Sequence, residues 1–107
     1  MNRIQSLSKL LASGHDNALL RFSLANAYLS ERQPKQALEH VRMALQFDPH
    51  YSAAWKLYGK VLATTGETQR AISAYQQGIK VAETRGDIQA AKEMKVFLKR
   101  LKKKALE

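Results

Sequence analysis

The chain has 107 residues with 18 Lys and Arg against 9 Asp and Glu, a formal net charge of +9, and 45% hydrophobic residues. That length suits one domain with a sizeable core and leaves little room for a second. Without a cysteine the chain has no disulfide, thiolate metal site or cysteine nucleophile, and with five glycines and three histidines it offers little for a phosphate loop or a metal centre. Ala and Leu dominate, which favours helix.

Taken from the start, residues 2–13 place Ile4, Leu7, Leu10 and Leu11 on one stripe of a helix. The segment MNRIQSLSKLLASG lacks the continuous apolar core of a secretory signal. Its Arg3, Lys9 and serines, with no acid before Asp16, also suit a short transit peptide, but the register found below favours a structural helix. Asp16 is placed to cap a second helix over about 17–31, which Gln33-Pro34 breaks. Pro34 suits the first turn of a third helix ending near Phe47, where Asp48-Pro49 turns the chain. A fourth helix over about 52–64 stops at Thr65-Gly66, a fifth runs over about 68–83, and Gly86-Asp87 opens a sixth striped by Ile88, Ala91, Met94, Leu98 and Leu101. No apolar run is long enough to span a membrane.

Sliding the chain against itself by 34 residues aligns Leu24 with Tyr58, Ala25 with Gly59, Ala37 with Ala71, Val41 with Tyr75 and Ala44 with Gly78. Bulky meets bulky and small meets small, so the second to fifth helices form two copies of one helix pair. The small residues let paired backbones approach closely, and Trp55 is expected to anchor the core. Extending the offset backwards sets Ile4, Leu7 and Leu11 on Leu38, Val41 and Leu45, which marks residues 2–13 as the second helix of a degenerate preceding repeat. Beyond Gly86 the register fails, since Lys92 and Glu93 fall where Tyr58 and Gly59 stood, so 86–107 is expected to be a solvating cap.

Trp55, Tyr58, Gly59, Leu62, Ala71, Tyr75 and Gly78 in 52–85, with Leu24, Ala25, Tyr28, Ala37, Val41, Ala44 and Pro49 in 18–51, resemble the tetratricopeptide repeat (TPR) family. Departures are Arg21 at the usual Trp, Arg32 at the usual turn Gly and Glu83 at the usual Pro. The resemblance implies an all-α, right-handed TPR superhelix over 1–107: a half repeat at 2–13, repeats at 18–51 and 52–85, and a basic capping helix at 86–107.

It further implies a non-catalytic adaptor whose concave groove takes an acidic or C-terminal peptide of a partner protein. By the family's register the groove residues are Leu19, Phe22, Asn26 and Ser30, then Ala53, Lys56, Lys60 and Thr64. Lys56 and Lys60 stand one turn apart, where like charges repel in a bare helix, so an acidic ligand would account for them as well as simple solvation would. A full two-carboxylate clamp is not expected, because Phe22 replaces its leading Lys and only Asn26 matches cleanly.

The alternative lies in the last helix, where Lys92, Lys95, Lys99, Arg100, Lys102, Lys103 and Lys104 are offset within their span only by Glu93. They suit the helix dipole, and they would equally contact RNA, a ribosome or another polyanion. Phe97 alone makes no stacking platform for bases. His15, His40 and His50 show no metal-ligand spacing and no serine has a partnered base, so neither cofactor nor catalysis is expected. A cytoplasmic location is expected, and the incomplete first repeat leaves self-association open.

Overall fold

Several helix ends follow from the chemistry of the residues that stand at them. The computed structural model describes residues 2–107, and among them are the helices α1 (Arg3–Ala12), α2 (Ala18–Ser30), α3 (Pro34–Phe47), α4 (Ser52–Thr64), α5 (Thr68–Arg85) and α6 (Ile88–Ala105), with no strand. Asn2 and Gln5 close a reciprocal capping box on α1. On α2 the cap is Asn17, whose side chain accepts from the Leu20 amide at 2.8 Å, and not Asp16 as the sequence suggested. Asp16 is committed elsewhere, to Arg21. Pro34 opens α3, and Asp87 caps α6 by accepting from the Ala90 amide. With Glu83 where a family proline would stand, α5 continues past its expected end and stops at Gly86, which takes the left-handed conformation at φ 77°.

The helices fall into two compact units, Met1–Pro49 with α1 to α3 and His50–Glu107 with α4 to α6. In the first, α2 and α3 pair through Leu24, Ala25, Ala37, Val41 and Ala44, all fully buried. Against α2 lies α1, which buries no residue completely; Ile4, Leu7 and Leu11 are half-buried.

In the second unit α5 packs against both α4 and α6. Both seams are too close for a side chain larger than hydrogen. A Cβ on Gly59 would stand 2.5 Å from the Tyr75 ring, and one on Gly78 would stand 2.6 Å from the Met94 sulfur and 2.7 Å from Trp55 Cβ. Tyr75, Ala82, Ala90, Ala91 and Met94 form the buried cluster beneath these approaches. Trp55 is only partly buried against it, and Met94 and Leu62 are among the side chains fully enclosed.

The turn between paired helices shows how the two units differ. In the second, Gly66 takes φ 80°; in the first, the residue 34 positions earlier, Arg32, is forced to φ 57°. A side chain in that region costs roughly 1–2 kcal/mol, partly offset by the unfolded-state entropy a glycine would add. Arg32→Gly is therefore expected to stabilise the chain by about 0.5–1 kcal/mol in urea unfolding. Gly59→Ala and Gly78→Ala are expected to destabilise it by about 1–3 kcal/mol, overpacking outweighing the better helix propensity of alanine.

Candidate functional site

On α2 the residues Leu19, Phe22, Asn26 and Ser30 recur at helical spacing along one face. Leu19 is 66% exposed, Phe22 half-buried, and Asn26 and Ser30 exposed. The Ser30 hydroxyl donates back to the Asn26 carbonyl at 3.1 Å, which leaves the Asn26 amide as the polar group offered outward.

Next to this face, at the position where the second repeat carries Trp55, Arg21 sits in a polar network. Its guanidinium donates to both oxygens of Asp16, at 2.8 and 2.9 Å, and to Nδ1 of His40 at 3.1 Å. The Arg21 side chain is only 14% exposed, and the His40 ring stacks on Tyr28 with centroids 5.4 Å apart and planes at 7°. Since an arginine only donates, His40 accepts through Nδ1 and is neutral here. Burial and the Arg21 charge hold the imidazole below its ordinary pKa of 6.5, while the hydrogen bonds from Arg21 hold the Asp16 carboxyl below the usual carboxylate range.

In the second unit Ala53 is half-buried in the first turn of α4, and Lys60 and Thr64 are exposed. Thr64 donates to the Lys60 carbonyl at 2.9 Å. The two groove lysines differ: the Lys56 ammonium donates to Glu93 of α6 at 3.1 Å, whereas Lys60 has no ion-pair partner among the described residues. Glu93, the acid inside the basic run of α6, is thereby paired from α4. Lys95 pairs with Glu83 at 2.9 Å across α5 and α6. The other cations of the last helix, Lys92, Lys99, Arg100, Lys102, Lys103 and Lys104, are exposed and carry no ion pair among the described residues.

Where α4, α5 and α6 come together, a hollow of about 180 Å³ opens between Ala63, Tyr75, Phe97 and Leu101, with Arg100 and Lys104 also lining it. The Tyr75 and Phe97 rings meet at 5.9 Å and 45°. Burial pushes the Tyr75 phenol up to about 12, so it stays neutral. No acid lines the hollow. Sequence reading placed Arg100 and Lys104 on a cationic face and did not join them to Ala63 and Tyr75. The spacing Phe97, Arg100, Leu101, Lys104 (i, i+3, i+4, i+7) is the signal that was available. Among the described residues no group of three or more His, Asp or Glu side chains is able to hold a metal, and no helix is long and apolar enough to cross a membrane.

Comparison with known proteins follows the same architecture. The tetratricopeptide repeat family model matches residues 28–94. The chain is 48% identical over 98 residues to the TPR repeat-containing protein PA0015 of Pseudomonas aeruginosa, covering 92% of this chain and 93% of that one. The solution structure of protein BPP2914 from Bordetella parapertussis superposes with a TM-score of 0.88 at 45% identity, over 100% of this chain and 94% of its own. The crystal structure of the Sgt2 TPR domain from Aspergillus fumigatus gives a TM-score of 0.82 at 29% identity, over 97% of this chain and 66% of that one.

The Arg21 network makes stability depend on pH in a defined direction. With its folded pKa depressed, His40 binds a proton more readily in the unfolded chain, so stability falls as the pH drops through 6.5 and below. Asp16 adds a second loss below 3.8, by the same sign. Thermal melts across this range are expected to show both steps, and His40→Gln, which keeps an acceptor but cannot titrate, is expected to remove the upper one alone.

Proposed function

The chain belongs to the tetratricopeptide repeat family, and on that footing we propose that it is a non-catalytic interaction module that holds an acidic segment, internal or C-terminal, of a partner protein. The observation that carries this reading is the placement of charge in the second unit. Two acids beside α6, Glu93 and Glu83, are occupied by Lys56 and Lys95, and no acid lines the hollow, while Lys60 on α4 and Arg100 and Lys104 on α6 carry no ion pair among the described residues. Lys60 stands one turn before Ala63, and Ala63, Arg100 and Lys104 line one hollow. A face on which Lys60 joins Arg100 and Lys104 beside that apolar floor would suit a peptide that brings both carboxylates and side-chain carbon. On α2, Leu19 and Phe22 supply apolar area and Asn26 an amide for main-chain groups of the same class of ligand.

The pairing of Lys56 also changes how the reading is tested. Lys56→Glu would set two carboxylates against each other between α4 and α6, so a loss of binding in that variant would mix packing with recognition. Lys60 is free of that complication.

A second reading is favoured by the exposed cations away from the hollow, Lys99, Lys102 and Lys103, which would hold RNA or another polyanion by charge alone. Affinity capture of partners with and without nuclease, followed by two charge-reversal variants, separates the two. Lys60→Glu with Arg100→Glu is expected to weaken an acidic protein partner about tenfold with the helical melt unchanged. Reversal of Lys99, Lys102 and Lys103, none of which lines the hollow, is expected to weaken that partner less than the first variant does, with the difference from the native chain shrinking as salt is raised. Capture that disappears with nuclease, and binding that falls steeply with salt and vanishes in the second variant, would favour the polyanion instead.

A further inference from the structure

Three features characterise the hollow at Ala63, Tyr75, Phe97 and Leu101. Its walls are carbon: an alanine methyl from α4, a tyrosine ring 3% exposed from α5, and a phenylalanine ring and leucine from α6. Its volume, about 180 Å³, is of the order of one branched aliphatic side chain. Its charged lining residues, Arg100 and Lys104, are one turn apart on α6 and share the stripe of Phe97 and Leu101, so both cations accompany the apolar floor. Water in such a place meets few hydrogen-bonding groups, and an aliphatic group that displaces it gains from leaving water itself.

We propose that this hollow is a specificity pocket, which seats one bulky aliphatic side chain of an acidic peptide while Arg100 and Lys104 meet carboxylates flanking that side chain. The inference rests on the acidic-segment reading above and adds to it which side chain is read and where. Charge complementarity commits the occupant. A purely apolar segment would leave the two cations beside it without partners, and a purely acidic one would leave the part-exposed Phe97 and Leu101 in water. A nucleic-acid base would meet two rings already packed on each other at 5.9 Å. Selection therefore has two parts that act on different features of the ligand: the rim sets how tightly acidic peptides bind in general, and the floor ranks them by one residue.

The experiment is fluorescence anisotropy on the full chain with a fluorescein-labelled, C-terminally amidated acidic peptide carrying one central leucine, and with the same peptide carrying alanine there. The leucine peptide is expected to bind about tenfold tighter, the ratio that follows from the aliphatic carbon it removes from water. Ala63→Leu, which fills the hollow from α4, is expected to bring the two peptides within about twofold of each other. Arg100→Gln with Lys104→Gln is expected to weaken both by about fivefold and leave their ratio unchanged. As a readout that needs no variant, the methyl resonances of Ala63 and Leu101 are expected to shift on titration with the leucine peptide and much less with the alanine peptide. Equal binding of the two peptides to the native chain overturns the pocket and leaves the acidic-segment reading standing. So does a leucine advantage that survives intact in a folded Ala63→Leu variant, or an absence of methyl shifts. Failure of both peptides to bind overturns both.

Discussion

The second unit depends on how closely its helix backbones can approach. At Gly59 the Tyr75 ring occupies the space a methyl group would need, and at Gly78 the Met94 sulfur and Trp55 do the same from two directions. Such contacts bring α4, α5 and α6 near enough for Tyr75 to be enclosed, for Lys56 to reach Glu93 and for Ala63 to share a hollow with Leu101. The first unit meets the same requirement with Ala25, Ala37 and Ala44, each fully buried. Interiors pack at crystal-like density, so a single methyl in the wrong seam propagates to everything above it.

Much of this was legible because helix packing leaves a periodic trace. Small and bulky residues recur at 34-residue spacing, and the ends of α3 and α4 follow from Pro34, Pro49 and Gly66. What was not legible depends on competition between neighbours. Asp16 and Asn17 are both good caps, and only the reach of Arg21 decides that Asp16 pairs while Asn17 caps. Trp55 has the size of a core anchor, yet with Tyr75 and Met94 filling the interior it remains partly exposed.

The candidate site was readable as two separate lists and not as one place. Lys56 and Lys60 lay in the register of the repeat, but α6 falls outside that register, so nothing in the spacing joined Glu93 to Lys56 or Arg100 to Ala63. Net charge was a poor guide for the same reason. The bulk figure of +9 does not distinguish a lysine held by a glutamate from one left open, and the two stand a single turn apart on α4. Geometry converts a basic helix into a face with a defined gap in its neutralisation.

The Arg21 network has a consequence that lies in temperature. Where the second repeat places the apolar body of Trp55, the first places a guanidinium held by a carboxylate and an imidazole. Apolar burial is entropic near room temperature and its yield flattens on heating, whereas the cost of stripping water from charged groups falls as temperature rises. Two helix pairs of one ancestry of shape are thus fastened by forces with different thermal slopes. At the warm end of its range, where apolar stabilisation has levelled off, the enclosed guanidinium of the first repeat costs less to keep out of water than it does in the cold.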